Sequence, residues 1–256
     1  MRVRSIAPLF ALSLLAVAVA CGSDTPSAPA SSRADLNQAF VELGLPALSA
    51  ATTTIVGVPA VAPSIGDRSG CAYAGASQSF ACPTQTVGGL TVTASYSLLT
   101  ASGTPQSAFD ATTTSAVRTD VAAIGTVTNG ATKLNVDARQ TLTLSALLTE
   151  RHVLDGTGTS KVNGTVAQGS TALPVAITTT TTITKLVLPP STSATKWPLS
   201  GTIASESSTS LSGLPAVPSR VEVTFDGTSR VAVVVTIAGV TKRCTVDLAS
   251  QAPSCG

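Results

Sequence analysis

From Lys133 to Leu148 the chain largely alternates between apolar and polar residues. Leu134, Val136, Ala138, Leu142, Leu144, Ala146 and Leu148 fall on even positions, while Lys133, Asn135, Asp137, Arg139, Thr141, Thr143 and Ser145 fall on odd ones. Gln140 is the one break. A helix repeats about every 3.6 residues and would scatter these side chains around its circumference. An extended strand gathers them onto one face. The run predicts a long, half-buried strand in an antiparallel sheet with one face on a core and the other in water.

The same alternation recurs at Leu90, Val92, Ala94, Tyr96 and Leu98, at Val117, Val121 and Val127, at Val221, Val223 and Phe225, and at Val231, Val233, Val235 and Ile237. Four turn dipeptides, Asn129-Gly130, Asp155-Gly156, Asn163-Gly164 and Asp226-Gly227, are flanked by strand-like runs and predict type I′ hairpins. The C-terminus reads as a three-strand meander over 219–226, 229–238 and 240–248, with its tail tied back through Cys255. One segment reads as helix. Asp35 sits at its start, Leu36, Phe40, Val41 and Leu43 recur at helical spacing, and Gly44 and Pro46 end it. The expected fold is all-β: a long-stranded antiparallel meander forming a curled sheet or half-barrel, with one N-terminal helix packed on it. Strands this long suit a large curled sheet better than an immunoglobulin sandwich, and no internal period marks a solenoid or propeller.

Charge narrows the function classes. The 256 residues carry 15 Lys+Arg against 13 Asp+Glu, and only 11% are charged. Two of the basic residues, Arg2 and Arg4, precede an apolar run from Ile6 to Ala20 interrupted only by Pro8 and Ser13. Without them the charges balance. A neutral chain lacks the clustered basic face that displaces counterions from nucleic acid, and it lacks a polybasic membrane patch. With 43% hydrophobic residues and little charge it is also unlike a disordered chain.

The apolar run falls short of the roughly 20 residues that span a bilayer, and no stop-transfer flank follows it. Residues 1–20 therefore read as a secretory leader. Its end is specific: Ala18, Val19 and Ala20 run into Cys21, then Gly22 and Ser23. This resembles the lipobox of bacterial lipoproteins, where a type II signal peptidase cuts before a diacylglyceryl-modified cysteine. The resemblance implies lipidation of Cys21. More than one acyl chain gives stable anchoring where a single chain is marginal. In such lipoproteins an Asp after the cysteine favours inner-membrane retention. Gly22 stands there, so the expected address is the outer membrane, on its periplasmic or surface face. The Pro/Ser-rich remainder of 21–33 reads as a flexible tether, and 34–256 as a single β-rich domain.

Five cysteines are an odd count, which lipidation of Cys21 makes even. Cys71, Cys82, Cys244 and Cys255 remain, in two pairs of equal spacing. Four cysteines allow three connectivities. The two local bridges, each closing a hairpin-sized loop, are preferred. Neither pair has the CxxC spacing of redox or zinc sites, and disulfides fit an oxidising periplasm or cell surface.

No catalytic constellation emerges, and the chain is expected not to be an enzyme. His152 is the single histidine, with Asp155 nearby and no nucleophile named by the sequence; a rim position is its simplest reading. Ser193-Ala194-Thr195-Lys196 matches S-x-x-K, but it lies between Pro189-Pro190 and Trp197-Pro198, which describes a loop, and the companion motifs are missing. Thr178, Thr180, Thr182 and Thr184 share one strand face, an array that would bind ice or a carbohydrate surface if neighbouring strands repeated it. The other strands are not expected to repeat it in register, and threonine suits a solvent-facing strand position anyway. Carboxylates are scattered, so no metal or cofactor is expected. Trp197 reads as a core or rim anchor.

The whole chain also resembles uncharacterised envelope lipoproteins of environmental bacteria. The shared features are the segment from Cys82 to Leu98, the Trp197–Gly201 segment, and the ending from Cys244 to Leu248 with a final Cys-Gly. That group implies an architecture and no activity. A curled sheet beneath a helix is similar in element order to lipoprotein-carrier half-barrels. The functional expectation is non-enzymatic binding of a lipid or other apolar ligand. The alternative is a structural or interaction lipoprotein whose partner is another envelope protein.

Overall fold

A computed structural model of the chain describes residues 70–168, 171–190, 192–212, 214–250 and 252–255, all within the unit Ile65–Gly256. Cys21 and the expected helix at 35–43 lie outside the described residues. Among those described there are fourteen strands and no helix. The first are short: β1 (Ala72–Ala74), β2 (Ser79–Ala81) and β3 (Gln85–Val87). β4 (Leu90–Leu99) and the two-residue β5 (Pro105–Gln106) follow. The long strands are β6 (Ala116–Asn129), β7 (Thr132–Ser145), β8 (Val153–Gln168), β9 (Thr171–Val187) and β10 (Ser200–Leu211). The last four are β11 (Val217–Phe225), β12 (Arg230–Ile237), β13 (Val240–Asp247) and β14 (Ala252–Cys255).

They form one large, curled antiparallel sheet in the order β1-β2-β4-β6-β7-β8-β9-β10-β11-β12-β13-β14, with β3 and β5 pairing to β4 off that path. Each long strand therefore pairs with its neighbours in sequence. The alternation holds within β7, where Val136 and Leu144 are buried and Lys133, Asn135 and Arg139 are exposed, but the strand ends at Ser145, and Leu148, expected on the buried face, is exposed in the connection that follows.

Two of the four dipeptides do stand at hairpins, but neither forms the expected type I′ turn, because only their glycines have a positive φ. Asn129-Gly130 joins β6 to β7 with Asn129 opposite Thr132, and Gly130 supplies a φ of 58°. Asp226-Gly227 opens the loop between β11 and β12. The other two dipeptides lie inside β8. Asp155 sits at a bulge against β9, where its carboxylate accepts the Lys185 N–H at 2.8 Å and holds Lys185 at a φ of 46°. Gly164 meets β7 so closely that a Cβ would lie 2.0 Å from the Lys133 carbonyl oxygen. Asn163 accepts from Asn135 across the strands at 3.3 Å. These residues are turn formers used for other purposes: a side chain that ties a bulge, and a missing side chain that lets two backbones approach.

The connections are tied by carboxylates. Asp226 accepts from the Thr228 hydroxyl at 2.7 Å and its N–H at 3.0 Å. Asp110 accepts from the Thr112 hydroxyl at 2.6 Å and its N–H at 2.7 Å. These bonds, the side-chain one first, hold both acids below the ordinary Asp value. A carboxylate depressed in the folded state contributes stability above its unfolded pKa of about 4, and that stability fades as pH falls through the folded value. Thermal unfolding followed by circular dichroism should therefore be flat from about pH 7 to 5 and weaken below about 4. An Asp110→Asn/Asp226→Asn variant should lose part of that acid sensitivity. An identical acid profile in the variant would show that these loops do not contribute.

Candidate functional site

The strand register stacks inward residues into rows across the sheet. One row runs through Leu98, Val117, Leu144, Leu154 and Leu186, and every member is buried. The next row visits every strand on the main path: Tyr73, Phe80, Tyr96, Thr119, Leu142, Gly156, Ile183, Ile203, Val223, Val233, Cys244 and Cys255. Phe80 stacks on Tyr96 at 4.6 Å and meets Tyr73 edge-on at 5.1 Å. Three aromatic residues thus gather at the first edge of the sheet, while Phe225 is buried on β11.

Toward the other end of the strands the side chains shrink. One row passes through Ala94, Val121, Gln140, Gly158, Thr181, Ser205, Val221 and Val235. The next passes through Val92, Ala123, Ala138, Ser160, Thr179, Ser207, Ser219 and Ile237. On β7 to β10 no member of these two rows is buried. Their polar groups are the Gln140 amide and small hydroxyls, of which Ser207 and Ser219 bond each other at 2.6 Å. On β11 and β12 the band turns aliphatic, with Val221 and Val235 buried. Beyond it Leu90, Val136 and Val162 are buried again. The inner face therefore carries a band of small, half-buried residues between bulkier apolar layers. An open depression on β9 to β11 is lined mostly by residues of the opposite, outer face, Thr178, Thr180, Glu206, Ser208 and Pro218, and so does not belong to this band.

No protein-family model, no curated protein and no solved structure matches this chain. Its function must be read from the residues themselves.

The four cysteines form the two local bridges, Cys71–Cys82 and Cys244–Cys255, one at each end of the strand order. The edge strands β1 and β14 are only three and four residues long. His152 is half-buried before β8, and its carbonyl accepts from Leu188 N–H at 2.8 Å. Nearby Asp155 accepts the Lys185 backbone N–H through one carboxylate oxygen at 2.8 Å. Ser193 lies in the loop before β10, where its hydroxyl accepts from Thr195 N–H at 3.1 Å and Lys196 is exposed. Trp197 is half-buried, while the adjacent Pro198 is fully buried. Among the described residues no three His, Cys, Asp or Glu side chains gather as a metal site would require.

One expectation needs correcting. The threonines of β9 do have partners in register. Thr182 pairs with Thr157, which pairs with Thr141; Thr180 pairs with Thr159; Thr184 pairs with Thr202, which pairs with Thr224. Charged residues interrupt this outer array. Arg220 bonds Glu206 and, at 2.8 Å, Glu222, which raises the guanidinium pKa above its usual value. Arg139 binds Asp137 at 2.9 Å. The array was invisible in sequence because its members come from five strands and only the register aligns them.

Proposed function

We propose that this chain is a non-enzymatic binding protein of the cell envelope, anchored through lipid on Cys21, whose inner sheet face takes a lipid or other apolar ligand. In this reading the curled sheet is a half-barrel and the 35–43 helix packs over its open side, with Gly22 favouring the outer membrane. The observation that supports it is the band of small residues from Ala138 to Ser207. These side chains leave space where a packed core would place Leu or Phe, and the flanking layers are bulky and apolar. Hydroxyls on β8 to β10 would meet a polar group of the ligand, and Val221 and Val235 its apolar part. The short edges clamped by disulfides weigh against a role through strand addition to a partner.

Native mass spectrometry of residues 22–256, purified gently from the periplasm, tests this. A reproducible mass excess that organic extraction removes is expected, and Ser205→Phe should abolish it while leaving the melting temperature within a few degrees. A bare mass with two disulfides would overturn the ligand reading in favour of a structural lipoprotein, with crosslinking the way to its partner.

A further inference from the structure

The four dipeptides Asn129-Gly130, Asp155-Gly156, Asn163-Gly164 and Asp226-Gly227 share a chemical liability. Glycine has no side chain to shield its nitrogen, so that nitrogen can reach the side-chain carbonyl carbon of the residue before it and close a succinimide ring. The fold restrains three of the four. The Asp155 carboxylate, inside β8, accepts the Lys185 N–H at 2.8 Å. Asp226 is held by Thr228, and the Gly227 N–H donates to the Pro198 carbonyl at 3.0 Å. Aspartate is in any case the poorer electrophile, since near neutral pH a carboxylate ordinarily carries a charge that repels a nucleophile. Asn163 accepts from Asn135 at 3.3 Å, and Gly164 is in register with Leu134 of β7 on one side and Val175 of β9 on the other.

Asn129-Gly130 differs on each of these points. Asn129 ends β6, Gly130 and Ala131 form the turn, and all three are exposed. Among the described residues no hydrogen bond engages the Asn129 side chain or the Gly130 N–H. A Cβ built on Gly130 would meet nothing within 4 Å, so the space around the turn is open. Solvent access does not separate the two asparagines, because Asn163 is exposed as well. The backbone separates them. Ring closure rotates the peptide that follows the asparagine, and this peptide enters an unrestrained turn at Asn129 but lies between two paired strands at Asn163.

We propose that Asn129 is a site of spontaneous covalent modification, deamidating through a succinimide while the fold preserves Asn163. The Gly130 nitrogen gives up its proton to solvent base and attacks Asn129 Cγ. The bond from Cγ to Nδ2 breaks, and Nδ2 takes up a proton and leaves as ammonia. Water then opens the ring. Addition at Cγ leaves aspartate, and addition at the main-chain carbonyl leaves isoaspartate, whose backbone runs through Cβ. Water is consumed and ammonia released, with no change of oxidation state. Either product puts a negative charge on a turn that carries none. The isoaspartate also lengthens the main chain beside the Asn129–Thr132 pair that sets the register of the hairpin.

The test incubates the purified, folded protein at mildly alkaline pH and follows it by peptide mapping, with electron-based fragmentation to tell isoaspartate from aspartate. Asn129 should deamidate at least about tenfold faster than Asn163, because Asn163 reacts only when β8 opens locally. Isoaspartate should be among the products, and the rate should rise with pH. In denaturant the two rates should converge, since both asparagines precede glycine. Asn129→Ser should remove the first acidic species seen on isoelectric focusing, with little change in melting temperature. Equal rates in the folded protein, an Asn129 that survives when folded but deamidates in denaturant, or aspartate as the sole product would each overturn the proposal.

Discussion

Gly201→Ala is expected to destabilise the folded domain by about 3 kcal/mol or more, lowering the melting temperature by roughly 6–12 °C. Gly201 opens β10 at a φ of 113°, and a Cβ there would lie 2.5 Å from both the Leu186 Cα and the Lys185 carbonyl oxygen. Neither neighbour can give way. Leu186 is 0% exposed and belongs to the buried row that also holds Leu144 and Leu154. Lys185 is already held in a left-handed conformation by Asp155. The alanine therefore combines an unfavourable φ with a backbone clash, at the bulge where β9 and β10 shift register. Gly75→Ala is the matched control, because its Cβ would meet nothing within 4 Å and its φ is ordinary. Equal melting temperatures for the two variants would mean that the close approach at Gly201 is absent in solution.

Replacing Cys244 and Cys255 together by serine should cost about 2–3 kcal/mol under oxidising conditions, the loop entropy of a bridge of this span. The effect should disappear when wild type and variant are compared in reductant. Cys244 and Cys255 face each other directly across β13 and β14, and β14 pairs with no other strand. Loss of the bridge thus frees the terminal strand and uncovers the longer edge of β13 for pairing with another molecule. Chemical denaturation with and without reductant, with light scattering at high concentration, measures both consequences. A variant as stable as oxidised wild type would show that strand pairing alone holds the C-terminal edge.

The fold was legible wherever a strand has one wet and one dry face. Period-2 alternation located β4, β7, β11 and β12, and the three-strand C-terminal meander agrees with β11, β12 and β13 to within a few residues. The local cysteine bridges followed from spacing. Turn chemistry was less informative: Asn129-Gly130 and Asp155-Gly156 look alike along the chain, and only the partner strand separates a hairpin from a bulge. The band of small residues and the threonine array were hidden for a related reason. Thr179, Ser207 and Ser219 lie far apart in sequence, and neighbouring strands must be set in register before they form one row.

Because the strand order follows the sequence, the sheet can be laid down by accretion. As the chain emerges from the N-terminal side, each new long strand finds its template already in place on the strand just made. No strand must wait for a partner from the far end, so the entropic cost of each addition is that of closing a short loop. The cystines obey the same rule. Cys71 meets Cys82 before Cys244 exists, and Cys244 then has one unpaired thiol to join in the described fold. Oxidation in order of synthesis gives the native pairing directly, without thiol exchange.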